Sequence, residues 1–133
     1  MWLLKTEPST YSYDDLEKAK RAVWDGVKNP AAVANLGKMK EGDAVFVYHT
    51  GDEKAVVGSA LVVRKAYPDP KARDARLLVV DLEAAGRLAR PVTLAEIRAL
   101  PAFADSPLVR QPRLSVVPLT KAQWNALART VPE

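Results

Sequence analysis

The chain has 133 residues, 48% of them hydrophobic and 27% charged, the balance of one globular domain spanning 1–133. It has no cysteine and one histidine, which excludes disulfides, thiolate catalysis, Cys-based zinc sites and a His-rich metal site within the chain. A net charge of +4 and a pI of about 9.4 suit a polyanionic partner, and suit plain solubility as well.

No apolar run approaches the roughly 18 residues of a membrane span. The start, Met1-Trp2-Leu3-Leu4-Lys5-Thr6-Glu7-Pro8, is too short and too soon charged for a signal peptide, so a cytoplasmic location and no membrane partner are expected. Residues 2–5 read as a strand. Ser12 caps a helix to about Lys20, with Asp15 at the third position to return the bond. Residues 24–29 show no period and read as a loop. Asn29-Pro30 then opens a short helix to about Leu36.

A turn at 40–43 leads into a strand over 44–48, with Val45 and Val47 on one face and Phe46 and Tyr48 on the other. A long apolar strand over 55–65 is interrupted by Gly58-Ser59, which predicts a bulge or a bend at a barrel corner. Residues 67–70 close it, 71–76 form a charged loop, and 77–82 make the next strand. Thr93 and Glu96 form a capping box for a helix to about Leu100. Residues 103–112 read as irregular with one helical turn, and 114–117 as the last strand. Thr120 and Gln123 open a terminal helix with Trp124 and Leu127 inward. Five strands at short, mixed spacing give an α+β class and favour a small curved sheet or barrel.

The glycines stand at 26, 37, 42, 51, 58 and 86, so neither a P-loop nor a dinucleotide fingerprint is present. His49 is the sole imidazole and no serine sits in a nucleophile-elbow sequence, so no hydrolase signature appears. No cofactor or metal is implied.

The informative segments are Trp2 to Pro8, Trp24-Asp25-Gly26-Val27-Lys28-Asn29, Tyr48-His49-Thr50, Tyr67-Pro68-Asp69-Pro70 and Arg113-Leu114-Ser115-Val116. In order, and over nearly the whole chain, they resemble the EVE domain family. The resemblance implies a PUA-like fold, a small mixed β-barrel with flanking helices. It also implies a non-catalytic nucleic-acid-binding module that reads a modified or extruded base in DNA or RNA. A PUA-like enzyme acting on a nucleotide or modified base, and a small-molecule-binding domain, are the other readings.

An extruded base has two apolar faces and a polar edge, so its pocket needs aromatic walls and a few donors and acceptors. Trp24 and Tyr48 are the expected walls. Gly26 and Val27 lie where backbone approaches the ligand, and Asn29 and His49 are expected to read the edge. Asn29 is also explained as a helix cap, and His49 as a structural histidine. Lys28 is placed to meet phosphate. Thr50 and Ser115 belong to the same set, and Lys5 and Glu7, two apart on the first strand, are expected to pair in support of it. Arg64, Lys65, Lys71, Arg73 and Arg76 cluster around one loop, which reads either as a patch that contacts a nucleic-acid backbone or as a plain solvated loop. The chain departs from the family pattern at Lys28-Asn29-Pro30, where Arg-Asn-Tyr is usual, and at Val33, where arginine is common. Lysine lacks the planar fork that holds a phosphate or base edge in two bonds.

Overall fold

A computed structural model describes residues 1–74 and 76–130. The strands are β1 (Trp2–Thr6), β2 (Arg21–Trp24), β3 (Ala44–His49), β4 (Ala55–Pro68), β5 (Leu78–Thr93) and β6 (Val116–Pro118). The helices are α1 (Tyr13–Ala19), α2 (Pro30–Leu36), α3 (Leu94–Arg98), α4 (Pro107–Arg110) and α5 (Lys121–Thr130), with a 3-10 turn at Pro101–Phe103. None of these helices is long and apolar enough to cross a membrane.

The six strands form one mixed sheet in the order β2-β5-β4-β3-β1-β6. β1 runs parallel to β3, with Lys5 opposite Tyr48 and Thr6 opposite His49, and antiparallel to β6. The class is α+β, as expected. The ladder does not close on itself, because β2 and β6 are its two edges; the barrel is an open sheet bent by register shifts.

One of those shifts is the bend predicted at Gly58. The register slips between Val47 and Tyr48 on β3 and between Val56 and Gly58 on β4. A side chain at Gly58 would collide with the ring of Tyr13, at 2.4 Å. The glycine thus lets α1 lie against the sheet through Tyr13. The Tyr13 hydroxyl donates to the Ser59 carbonyl at 2.7 Å and accepts from the Gly86 amide at 3.1 Å.

The three expected capping boxes are all formed. Ser12 and Asp15 exchange bonds, as do Thr93 and Glu96, and Thr120 and Gln123. β3 lies inside the sheet with both faces covered, so Val45, Phe46, Val47 and Tyr48 are all buried. The ring of Trp124 on α5 stacks on Phe46 with centroids 3.9 Å apart.

Two elements differ from the sequence expectation. Arg21–Trp24 is an edge strand, although its four residues are too few to show a period. β5 continues to Thr93 rather than stopping near Leu82. Its Ala84-Ala85-Gly86 stretch has poor strand propensity and is ordered by pairing with β4.

Candidate functional site

The end of β1, the loop after it and the end of β2 enclose a cleft of about 530 Å³. That is within the 300–1,000 Å³ range typical of small-ligand sites. β1 supplies Lys5 and Thr6, and the loop to α1 supplies Glu7, Thr10 and Tyr11. Across from them stand Val23 and Trp24 of β2, the turn Asp25 to Lys28, and Ser115.

Two aromatic rings form a corner of the cleft. Trp24 and Tyr11 meet edge to face, with centroids 6.0 Å apart and planes at 88°. Trp24 is largely buried and is the last residue of β2, which fixes its ring against the sheet. Gly26 has φ +80 and open space around it, so the backbone turns into the cleft with no side chain in the way.

The polar groups are held in place. Glu7 Oε1 accepts from the Ser9 amide at 3.1 Å and the Ser9 hydroxyl at 3.0 Å, and Oε2 accepts from the Thr50 hydroxyl at 3.4 Å. The Ser9 bonds hold the Glu7 carboxyl below the usual glutamate value, so it is an ionised acceptor at neutral pH. Lys5 Nζ donates to the Pro112 carbonyl at 3.0 Å and lies 5.6 Å from the Tyr48 ring centre. Burial pushes the Lys5 ammonium below its ordinary range. Lys5 and Glu7 therefore do not pair as expected, because β1 ends at Thr6 and Glu7 turns away into the loop. Lys28 is exposed at the rim.

Lys5, Glu7, Trp24, Gly26, Val27, Lys28 and Ser115 come together in this cleft. Asn29, Tyr48, His49 and Thr50 are not among its lining residues. Asn29 Oδ1 caps α2, accepting from the Ala31 and Ala32 amides at 2.9 and 3.2 Å. His49 is buried; its Nε2 accepts from the Tyr13 amide at 2.9 Å, and Nδ1 is 3.0 Å from Glu53. These contacts assign the Nδ1–H tautomer and tie α1 to β3. Tyr48 and Thr50 line a separate recess described below. In the basic loop the charge of Arg76 is neutralised by Asp74, while Arg64 keeps its charge and stacks over the Tyr67 ring at 3.7 Å.

Tyr11, Thr10 and Val23 also line the cleft and lie outside the segments the sequence points to, and Thr6 and Asp25 lie inside those segments but are not among the expected site residues. Tyr11 follows Pro8-Ser9-Thr10 immediately after the first strand, and that is the only local signal of its place. The cleft's ionisable lining is balanced, with ammoniums at Lys5 and Lys28 and carboxylates at Glu7 and Asp25. Such a lining suits a neutral planar ligand with a polar edge better than an anion.

The EVE domain family matches residues 1–130. Mouse (Mus musculus) thymocyte nuclear protein 1 is 29% identical over 93% of this chain and 70% of its own length. A protein from Rhodopseudomonas palustris, solved by NMR, superposes with a TM-score of 0.90 at 39% identity, covering 98% of this chain and 91% of that one. Human THYN1 protein in complex with 5-methylcytosine-containing DNA superposes with a TM-score of 0.88 at 27% identity, covering 97% and 95%. By the match of the family pattern across nearly its whole length, this chain belongs to the EVE domain family.

Proposed function

We propose that this chain is a DNA-binding module that holds one extruded base, modified in the preferred ligand, in the Trp24–Tyr11 cleft. The observation that carries the reading is the cleft itself: two aromatic walls at right angles beside a fixed carboxylate acceptor and hydroxyl groups, with balanced charge. A flipped base needs a surface to stack on and partners for its Watson–Crick edge. The Glu7 carboxylate accepts from an exocyclic amine, the Thr10 and Ser115 hydroxyls both donate and accept, and the Thr6 hydroxyl, whose proton goes to the Tyr11 carbonyl at 2.6 Å, accepts only. Human THYN1 protein, which shares this fold, was solved with DNA containing 5-methylcytosine, and that supports DNA as the partner.

Binding without turnover fits the imidazole's position. Both ring nitrogens of His49 are engaged inside the protein, away from the cleft, and Glu7 is bonded to Ser9 and Thr50.

Fluorescence anisotropy with matched oligonucleotides tests the proposal: unmodified DNA, DNA with 5-methylcytosine or other modified bases, and RNA. Preferred binding of one modified DNA is expected. Glu7→Gln should weaken that preferred complex by roughly tenfold, the cost of about one charge-assisted hydrogen bond. If no oligonucleotide binds, or if Glu7→Gln and Lys28→Ala bind as wild type does, the proposal fails.

A further inference from the structure

A second recess of about 230 Å³ adjoins the cleft on the far side of Lys5. Lys5 lines both. Thr50 joins them as well, since its hydroxyl contacts Glu7 on one side while the residue lines the recess on the other. The two hollows nevertheless differ in charge. The ionisable lining of the cleft is balanced, whereas the recess is lined by Lys5, Lys54 and Arg98 with no carboxylate.

Among the described residues, Lys54 and Arg98 have no ion-pair partner, whereas Arg90 pairs with Glu96 and Arg110 with Asp105. Glu96, two residues before Arg98, is taken by Arg90 at 3.0 Å, and Glu53, beside Lys54, is 3.0 Å from His49. The neighbouring acids are thus committed elsewhere. Tyr48 stands buried in the recess wall; burial pushes its hydroxyl up, and the positive charge of Arg98 opposes that push in part. The cations are positioned by three separate elements: Lys5 by β1, Lys54 by the turn before β4, and Arg98 by the end of α3. The Lys54 carbonyl accepts from the Leu94 amide at 2.8 Å, which joins that turn to α3.

We propose that this recess is a phosphate subsite. Three cations line this one recess beside the Tyr48 ring, none of them in an ion pair among the described residues, and their N–H donors suit a phosphate's oxygens. The proposal rests on the base-binding reading to this extent: the phosphate is one flanking the base held in the cleft, with Lys5 between the two. A free phosphate offers the same chemistry.

Anisotropy titrations over a salt series test it on the full chain. Lys54→Ala and Arg98→Ala should each weaken oligonucleotide binding and flatten the plot of log affinity against log salt. On a single strand the slope should fall by about 0.7 for each phosphate no longer neutralised. Preference among bases should stay as in wild type. Glu7→Gln should do the reverse, altering preference with little change in slope. Methylphosphonate at the phosphates beside the read base should weaken wild-type binding and add nothing in Arg98→Ala. If both alanine variants keep the wild-type affinity and slope, the proposal is overturned.

Inorganic phosphate, titrated into labelled protein and followed by NMR at the Arg98 Nε and at the amides of residues 50–54, separates the two readings. If no oligonucleotide binds but these signals shift and saturate, the recess is a phosphate subsite and the base reading fails alone. If neither oligonucleotide nor phosphate moves them, the subsite is refuted. If phosphate binds but methylphosphonate oligonucleotides bind as native ones do, free phosphate is the ligand and its assignment to the strand is refuted.

Discussion

Replacing Gly58 with alanine puts a methyl carbon 2.4 Å from two ring carbons of Tyr13. The ring has nowhere to go. Tyr13 is fully buried, and its hydroxyl is bonded on both sides, at 2.7 Å to Ser59 and 3.1 Å to Gly86. Its amide donates to His49 at 2.9 Å. Overpacking of this kind costs about 1–3 kcal/mol. If the ring tilts to relieve it, the two hydroxyl bonds weaken, at about 1 kcal/mol each. The expected loss is about 2–4 kcal/mol, or roughly 10 °C in Tm for a domain of this size. Urea unfolding followed by far-ultraviolet circular dichroism measures it, with the midpoint falling and the slope unchanged. The same substitution in a Tyr13→Leu background should cost far less, because the two positions are in contact. A Gly58→Ala protein within about 0.5 kcal/mol of wild type, or equal costs in both backgrounds, would refute the account.

Other consequences are open to test. Asn29→Ala should cost about 1 kcal/mol in unfolding free energy, as the removal of an N-cap does, and leave base preference unchanged. Lys20 ends α1 with φ 67, a strained conformation for a residue with a Cβ, so Lys20→Gly should stabilise the protein by about 0.5–1 kcal/mol in the same unfolding assay. The Glu7 carboxyl titrates below the usual glutamate value when folded. Its contribution to stability is present above the unfolded value and lost as pH falls through the folded one. NMR titration of the carboxyl carbon should show the lowered midpoint, and Ser9→Ala should move it back up. Trp24→Ala should lower the unfolding free energy by about 3–5 kcal/mol in urea, since its ring is core as well as cleft wall.

Much of the fold is legible in the sequence because its signals are local. A capping box is complete within four residues, and Gly58-Ser59 interrupts an apolar run in plain view. β2 is not legible, since four residues on a sheet edge carry no period and gain their order from β5. The candidate site shows the same division. Trp24, Gly26 and Lys28 are sequence neighbours and share the cleft, whereas Tyr11 reaches it only because Trp24 packs against it in space. Adjacency in the sequence groups Tyr48 with His49. In a strand adjacency separates side chains, since neighbours point to opposite faces. Tyr48 accordingly meets Lys5 in the recess, and His49 meets the start of α1.

The bond from Lys5 to the Pro112 carbonyl joins residues 107 positions apart, and β6 adds its rungs to β1 across a similar span. Both the cleft and the recess draw on this junction. A ribosome therefore delivers the strand that carries Lys5 long before it delivers the segment that fixes Lys5 in place. Until residues near 112–118 have emerged, a nascent chain has aromatic groups and cations but no shaped site, and it would meet a polyanion only as a loose, salt-sensitive tether. Selective recognition should thus appear only once the segment around residues 112–118 has emerged and paired with β1.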